Sequence, residues 1–238
     1  MIRVKNEEEF LLPSVLSVAE LVDEIIIIDN LSTDRTSVII NELKKQIGSK
    51  IKTFSYPYEV ARMGEEYQAL QKIDPNSPSL LHNYYNWCLS KCTMPFIMKW
   101  DGDMIASSNF SIYLKKFKRS SFLRFDFGGY NLSADKKNIL TLDAIIEPRV
   151  YPKLFALFKY IGTDCEELKT WVVDEKALLI KDRLYLHMKY CKAIPCANFS
   201  QIYKDEFTKK LEIGCKLPEE AALSLQKWST ISGSKYEG

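Results

Sequence analysis

Four consecutive isoleucines, Ile25-Ile26-Ile27-Ile28, constrain this chain more than any other stretch. β-Branched residues favour extended backbone, and successive side chains of a strand point to opposite faces. A run that is apolar at every position needs cover on both faces, as in a parallel sheet sandwiched between helices. Asp23-Glu24 leads into the run and Asp29-Asn30 ends it. The polar turn that follows, Leu31-Ser32-Thr33-Asp34-Arg35-Thr36, opens a helix expected to reach about Gln46, with Gly48 beyond its end.

The rest of the first hundred residues repeats this alternation. Residues 1–5 read as a strand. Asn6 reads as the cap of a helix with Glu7, Glu8 and Glu9 in its first turn, kinked or restarted by Pro13 and running to about Leu21. Ile51 to Ser55 is a third strand, 56–80 is irregular with a short helix near 64–72, and Leu80 to Cys92 is an aromatic-rich helix. Next, Pro95-Phe96-Ile97-Met98-Lys99-Trp100 reads as a short buried strand running into Asp101-Gly102-Asp103. This order implies a parallel sheet with helices on its faces. Beyond Asp103 the pattern is α+β. It predicts a helix over 107–118, a strand over 122–127, strands or a hairpin in 138–150, and a helical tail over about 199–228 with Pro218 starting the last helix.

Composition narrows the function classes. The 238 residues are 46% hydrophobic and 27% charged, as in ordinary globular proteins. A net charge of +2 argues against a nucleic-acid binder. No apolar run reaches membrane-spanning length and the first residues lack a signal-peptide pattern, so a cytoplasmic protein is expected, with peripheral contact at a membrane surface left open. The six cysteines show no Cys-x-x-Cys pair and read as reduced thiols.

In open α/β sheets, ligands bind beyond the carboxyl ends of the strands. Asn6 and Glu7, Asp29 and Asn30, and Asp101 and Asp103 each follow an expected strand, so they share one edge. Two crowded carboxylates without a nearby Arg or Lys repel each other unless a cation lies between them. Mg²⁺ and Mn²⁺ suit such oxygen ligands, and Mg²⁺ typically uses one or two carboxylates plus substrate phosphates. The competing reading of Asp-x-Asp is an ordinary polar turn.

Three segments together resemble family 2 glycosyltransferases of the GT-A fold. Asp23 to Thr36 resembles the family's apolar strand ending in Asp, followed by its Gly/Asn-x-Ser-x-Asp-x-Thr turn. Val4-Lys5-Asn6-Glu7-Glu8 resembles its first strand and Asn-Glu corner, and Trp100-Asp101-Gly102-Asp103 its Asp-x-Asp motif. The likeness covers residues 1–110 well and the remainder loosely. It implies a Rossmann-like, mostly parallel sheet flanked by helices, with an α+β acceptor-side C-terminal part. The expected organisation is one domain over 1–238: a nucleotide-sugar-binding half (1–105), an acceptor and catalytic half (106–198) and a helical appendage (199–238).

The resemblance also implies roles. Val4, Asn6, Glu7, Asp29, Asn30, Asp34, Trp100, Asp101 and Lys189 are expected at the nucleotide-sugar donor, with helix capping an equal reading for Asp34 and Thr36. Asp101, Asp103 and a late His187 are expected at Mn²⁺ or Mg²⁺. In Gly162-Thr163-Asp164-Cys165-Glu166-Glu167-Leu168, Glu166 is the expected base, followed by Glu167 and Asp164; the bland alternative is the N-terminus of a solvated helix. Glu147, in Glu147-Pro148-Arg149, is a further candidate, His82 reads as scaffold, and Asn86 as a partner behind the metal strand. The implied donor is a UDP-sugar, with GDP or dTDP as alternatives, and the acceptor a glycan or lipid-linked hydroxyl. The aromatic-basic segments 113–119 and 149–160 read either as a helix with a solvated lysine face or as contacts to a lipid surface or sugar rings.

Other classes fit less well. Aspartate-based phosphatases expect Thr or Val two residues after the second Asp, where this chain has Ile105 in a mid-chain motif. Sugar nucleotidyltransferases want a Gly-rich basic first loop, the opposite of Asn6-Glu7-Glu8-Glu9. A non-catalytic sugar-nucleotide or glycan-binding module would show a broken Asp-x-Asp or lack the late carboxylates.

Overall fold

The four isoleucines lie in one strand whose two faces are both covered: Ile25 and Ile27 enter one apolar cluster, Ile26 and Ile28 another. Each buried isoleucine contributes about 2 kcal/mol of burial free energy, so the run fixes the centre of the sheet. The computed structural model describes residues 1–61, 64–140, 144–160, 166–192 and 213–232.

The first half runs β1 (Ile2–Val4), α1 (Leu11–Ala19), β2 (Ile25–Asp29), α2 (Thr36–Ile47), β3 (Ile51–Ser55), α3 (Glu65–Ile73), α4 (Leu81–Lys91), β4 (Phe96–Met98), β5 (Trp100–Asp101) and β6 (Met104–Ala106). The second half runs α5 (Phe110–Lys118), β7 (Arg124–Asn131), β8 (Asn138–Leu140), β9 (Ala144–Pro152), β10 (Ala156–Tyr160), β11 (Glu166–Thr170), β12 (Ala177–His187), β13 (Ile213–Lys216) and α6 (Glu219–Ser232).

A parallel sheet of order β3-β2-β1-β5 carries the first half, with Val4 opposite Asp29 and Arg3 opposite Asp101. A second sheet has the order β4-β9-β7-β12-β6, and there only β7 and β12 run parallel. The parallel character expected of the first half holds in the first sheet, and the mixed second sheet, built mostly from the second half, fits the α+β pattern expected beyond Asp103. Residues 96–101 belong to both sheets: β4 pairs with β9, and two residues later β5 pairs with β1. At the changeover the Lys99 amide donates to the Arg149 carbonyl at 2.7 Å. The single strand expected here is thus split, and Phe96 at its start is 41% exposed rather than covered.

Helices α1, α2 and α5 supply Val15, Leu43 and Phe110 to one face of the parallel sheet. Helix α4 supplies Tyr84 and Cys88 to the other, joined there by Phe158 of β10. Asn86 fixes that packing, donating to the Phe158 carbonyl at 2.8 Å and accepting from the Phe158 amide at 2.9 Å. It anchors β10 instead of backing the metal strand. A third cluster joins Ala221 and Leu225 of α6 to Phe10, Leu186 and Met188, which ties the end of β12 to the loop after β1.

Several local expectations change. Helix α1 starts at Leu11, because Asn6 takes a φ of 57° and turns the chain before any helix forms. Glu7 to Glu9 precede the helix, and Pro13 sits in its first turn, where a missing N–H costs no intrahelical bond. Residues 149–160 form strands joined by a short 3₁₀ turn, and the lysine-faced helix is seen only in α5. Glu166 and Glu167 lie in β11, paired antiparallel with β10, so no helix starts there. Within the expected helical tail, Ile213–Lys216 is a strand paired with β8, while 199–212 lie outside the described residues. The thiols of Cys88, Cys92 and Cys191 are free, as expected.

Candidate active site

The loops after β1 and β2 are laced to each other by their own polar side chains. The amides of Asn6, Glu7 and Glu8 donate to Ser32 Oγ (2.9 Å), Thr36 Oγ1 (2.7 Å) and Asp34 Oδ2 (3.0 Å). In return, the amides of Thr33 and Arg35 donate to Asn6 Oδ1 (2.7 Å) and Glu8 Oε2 (3.0 Å). Asp34 also accepts from the Thr36 amide at 2.9 Å. Burial pushes the Asp34 carboxyl up, but the hydrogen bonds from Thr36 and Glu8 outweigh it and hold the group below its ordinary value. Asn6 Oδ1 and both Asp34 oxygens are thus engaged in holding the two loops together. Asn30 is buried too, and its amide donates to the carbonyls of Tyr56 (3.4 Å) and Tyr58 (2.7 Å), fixing the start of the irregular segment. Asp29 accepts from the Ser32 amide and hydroxyl through Oδ1, and its Oδ2 has no hydrogen bond among the described residues.

This lacing presses Glu7 against the Asp101-Gly102-Asp103 turn. A Cβ added at Gly102 would stand 2.9 Å from Val4 Cγ1 and 3.1 Å from Glu7 Cγ, so the glycine is what lets the two loops approach. Trp100, just before the turn, is fully buried; its indole donates to Ser14 Oγ (3.1 Å) and the Met104 carbonyl (3.2 Å). Its side chain belongs to the core cluster around the parallel sheet. Val4 is likewise buried, with its carbonyl accepting from the Asn30 amide at 2.9 Å.

Asp101 is not the uncompensated carboxylate that the sequence suggested. Arg3 Nη2 lies 2.6 Å from Oδ1, and Arg149 Nη1 lies 3.2 Å from Oδ2. Burial pushes the Asp101 carboxyl up, yet Arg3, Arg149 and Lys99 prevail and hold it well below the usual range. Both Asp101 oxygens are thus held by guanidiniums. Arg149 also reaches Glu147 Oε1 at 2.6 Å, and Lys99 reaches Glu147 Oε2 at 3.3 Å. Burial raises the Glu147 carboxyl, but Lys99 and Arg149 bring it below its ordinary value, which makes it a weak proton acceptor.

Asp103 and His187 do come together. His187 closes β12, and its Nε2 stands 3.4 Å from Asp103 Oδ1. The Met188 amide donates to the Asp103 carbonyl at 2.8 Å, which ties the end of β12 to the turn. His187 Nδ1 pairs with Asn131 Oδ1 at 3.0 Å. With Nδ1 donating to that oxygen, the neutral ring turns its Nε2 lone pair towards Asp103, a pair of ligands that can take a cation between them. No group of three or more His, Cys, Asp and Glu with metal-holding geometry occurs among the described residues. One carboxylate and one imidazole nevertheless fit an ion whose other positions go to diphosphate oxygens and water.

Lys192 completes the cluster, its Nζ 2.6 Å from both Asp103 Oδ2 and Glu7 Oε1. Burial and the Asp103 charge push Glu7 up to about 8 despite Lys192. Lys189 lies past the end of β12, with Nζ 5.8 Å from the Tyr190 ring centre, and does not share the strand face of His187. His82 pairs with the Tyr67 hydroxyl at 2.7 Å as scaffold. Asp164 lies outside the described residues, and for Glu166 and Glu167 the structure describes the backbone of β11.

Sequence reasoning missed Arg3, Arg149 and Lys192 as partners of the aspartates. Arg3 had a signal, a charge between Ile2 and Val4 in a buried strand opposite Asp101. Lys192 had none, being an ordinary lysine beyond a strand end.

Residues 1–63 match the model of the family described as Glycosyl transferase family 2. A mannosyltransferase from Pyrobaculum calidifontis, PcManGT, solved in complex with GDP-Man and Mn²⁺, superposes with a TM-score of 0.51 at 11% identity, over 96% of this chain and 68% of that one. S. aureus TarS 1-349 in complex with UDP gives 0.49 at 12% identity, over 78% and 58%. The chain thus spans little more than half of the TarS fragment's length. No curated protein sequence matches. The shared architecture is a mixed α/β fold whose parallel sheet is flanked by helices.

Proposed function

We propose that this chain, a family 2-like glycosyltransferase by its fold and its N-terminal signature, moves a sugar from a nucleotide-diphosphate sugar to a hydroxyl of a glycan or lipid-linked acceptor. The observation that carries the reading is the meeting of Asp103 and His187 beyond the carboxyl ends of the parallel strands, with Asn131 holding the imidazole. A divalent ion, Mn²⁺ or Mg²⁺, held by this pair would neutralise the leaving diphosphate. The GDP-Man and Mn²⁺ complex of PcManGT supports carrying that chemistry over.

The chain's own residues divide the remaining work. Asp29, with one oxygen open beside the laced loops, takes the hydrogen bonds of a base or ribose. Asp101, clamped by Arg3 and Arg149, presents a fixed negative edge to the ribose. The acidic stretch of Asp164, Glu166 and Glu167 supplies the base that takes the acceptor proton, with inversion at the sugar carbon, since Glu147 is held by two cations. A cavity of about 460 Å³, lined by Lys99, Arg124, Asp126 and Glu147 together with Phe158 and Leu168, combines the charged groups and apolar faces that suit a sugar ring on the acceptor side. No helix of the described residues is long and apolar enough to cross a membrane.

A panel of UDP-, GDP- and dTDP-sugars, assayed for release of nucleoside diphosphate, tests the reading. Turnover of one donor class that is lost in Asp103→Asn supports it. No release from any donor, together with phosphatase turnover, would replace it.

A further inference from the structure

We propose that Lys192 is a built-in counter-ion: it holds the metal's place between Asp103 and Glu7, so that metal and diphosphate must enter together. The inference rests on the reading of Asp103 and His187 given above.

Three observations carry it. The Lys192 ammonium lies 2.6 Å from Asp103 Oδ2 and 2.6 Å from Glu7 Oε1, and it is largely buried with both. Its contact takes one of the two Asp103 oxygens, while His187 faces the other. Glu7 Oε2, also buried, has no hydrogen-bond partner among the described residues, so Glu7 has capacity to keep the ammonium once Asp103 is surrendered.

Charge balance supplies the consequence. Around the turn, Arg3, Lys99, Arg149 and Lys192 are already paired with the acidic side chains of Glu7, Asp101, Asp103 and Glu147, so no anionic group there lacks a cation. A divalent ion arriving alone adds two uncompensated charges to a poorly solvated site and must also take Asp103 from Lys192. A nucleoside diphosphate brings the missing negative charge and offers the displaced ammonium new oxygens to meet. Each ligand therefore raises the affinity of the other by the same factor. Removing the ammonium frees Asp103 Oδ2 and Glu7 Oε1 together, a better site for metal alone.

Electron paramagnetic resonance of free Mn²⁺ tests this on the full chain, comparing wild type with Lys192→Met, each with and without UDP or GDP. Wild type is expected to bind Mn²⁺ at least ~10-fold tighter with its nucleotide than without. Lys192→Met is expected to bind Mn²⁺ alone about 10-fold tighter than wild type and to lose most of that coupling. The inference is overturned if wild type forms the ternary complex while the variant binds Mn²⁺ alone no tighter. If wild type takes up no Mn²⁺ with either nucleotide, the reading of the site fails first and this inference with it. Lys192→Gln carries the same expectations should the methionine variant not fold.

Discussion

Arg3 and Asp101 face each other in register across neighbouring parallel strands, with the guanidinium 2.6 Å from the carboxylate and stacked 3.6 Å from the centre of the Tyr85 ring. The pair joins β1 to the strand that ends in the Asp-Gly-Asp turn, so it serves the fold before it serves chemistry. Arg149 still faces the other Asp101 oxygen, so removing Arg3 deletes one of two charge-assisted contacts, worth about 2 kcal/mol. Arg3→Met should destabilise the protein by about 2 kcal/mol, read as a lower urea midpoint with an unchanged slope. A midpoint within error of wild type would remove Arg3 from this role.

The hydrogen bond between His187 and Asn131 makes a separable prediction. Asn131→Leu keeps the side-chain volume and deletes the acceptor that orients the imidazole. Nucleotide-dependent Mn²⁺ affinity should fall about 10- to 100-fold, the usual cost of losing such a partner. Circular dichroism should show an intact fold. Undiminished Mn²⁺ affinity would mean that His187 is not a ligand.

Glu24 offers a pH signature remote from the site. Its carboxylate accepts from Lys52 Nζ at 2.7 Å and from the Thr93 amide at 2.8 Å. Burial raises this carboxyl, but the hydrogen bonds from Lys52 and Thr93 overcome that and lower it to about 2 from an ordinary 4.5. The stabilisation is therefore complete above pH 4.5 and lost as the pH falls towards 2. Glu24→Gln should melt below wild type near neutral pH, and the gap should close as the solution is acidified through that window. A gap independent of pH would show that the charge contributes nothing.

Much of this was legible in the sequence, for reasons that particular residues make plain. The isoleucine run forced a strand covered on both faces, and the three loop motifs fell at one sheet edge because each follows a parallel strand. The lacing of Asn6 and Glu8 with Ser32, Thr33 and Asp34 was hidden, because a motif shows which residues recur and not whether they touch ligand or each other. The partners of Asp101 and Asp103 were hidden for a different reason. Arg149, in β9, and Lys192, beyond the end of β12, arrive from 48 and 89 residues further along the chain, brought by strands of the mixed sheet whose pairing local periodicity does not encode. The split at Lys99 is also non-local, since β9 and β1 compete for one short stretch.

The most direct measurement is calorimetric titration of the chain with UDP, GDP and dTDP, each with and without Mn²⁺, in wild type and Asp103→Asn. The account predicts that one nucleotide binds tightly only when Mn²⁺ is present, and that Asp103→Asn abolishes this binding while the fold persists. Failure of all three nucleotides in the presence of Mn²⁺, or equal binding by Asp103→Asn, would contradict it.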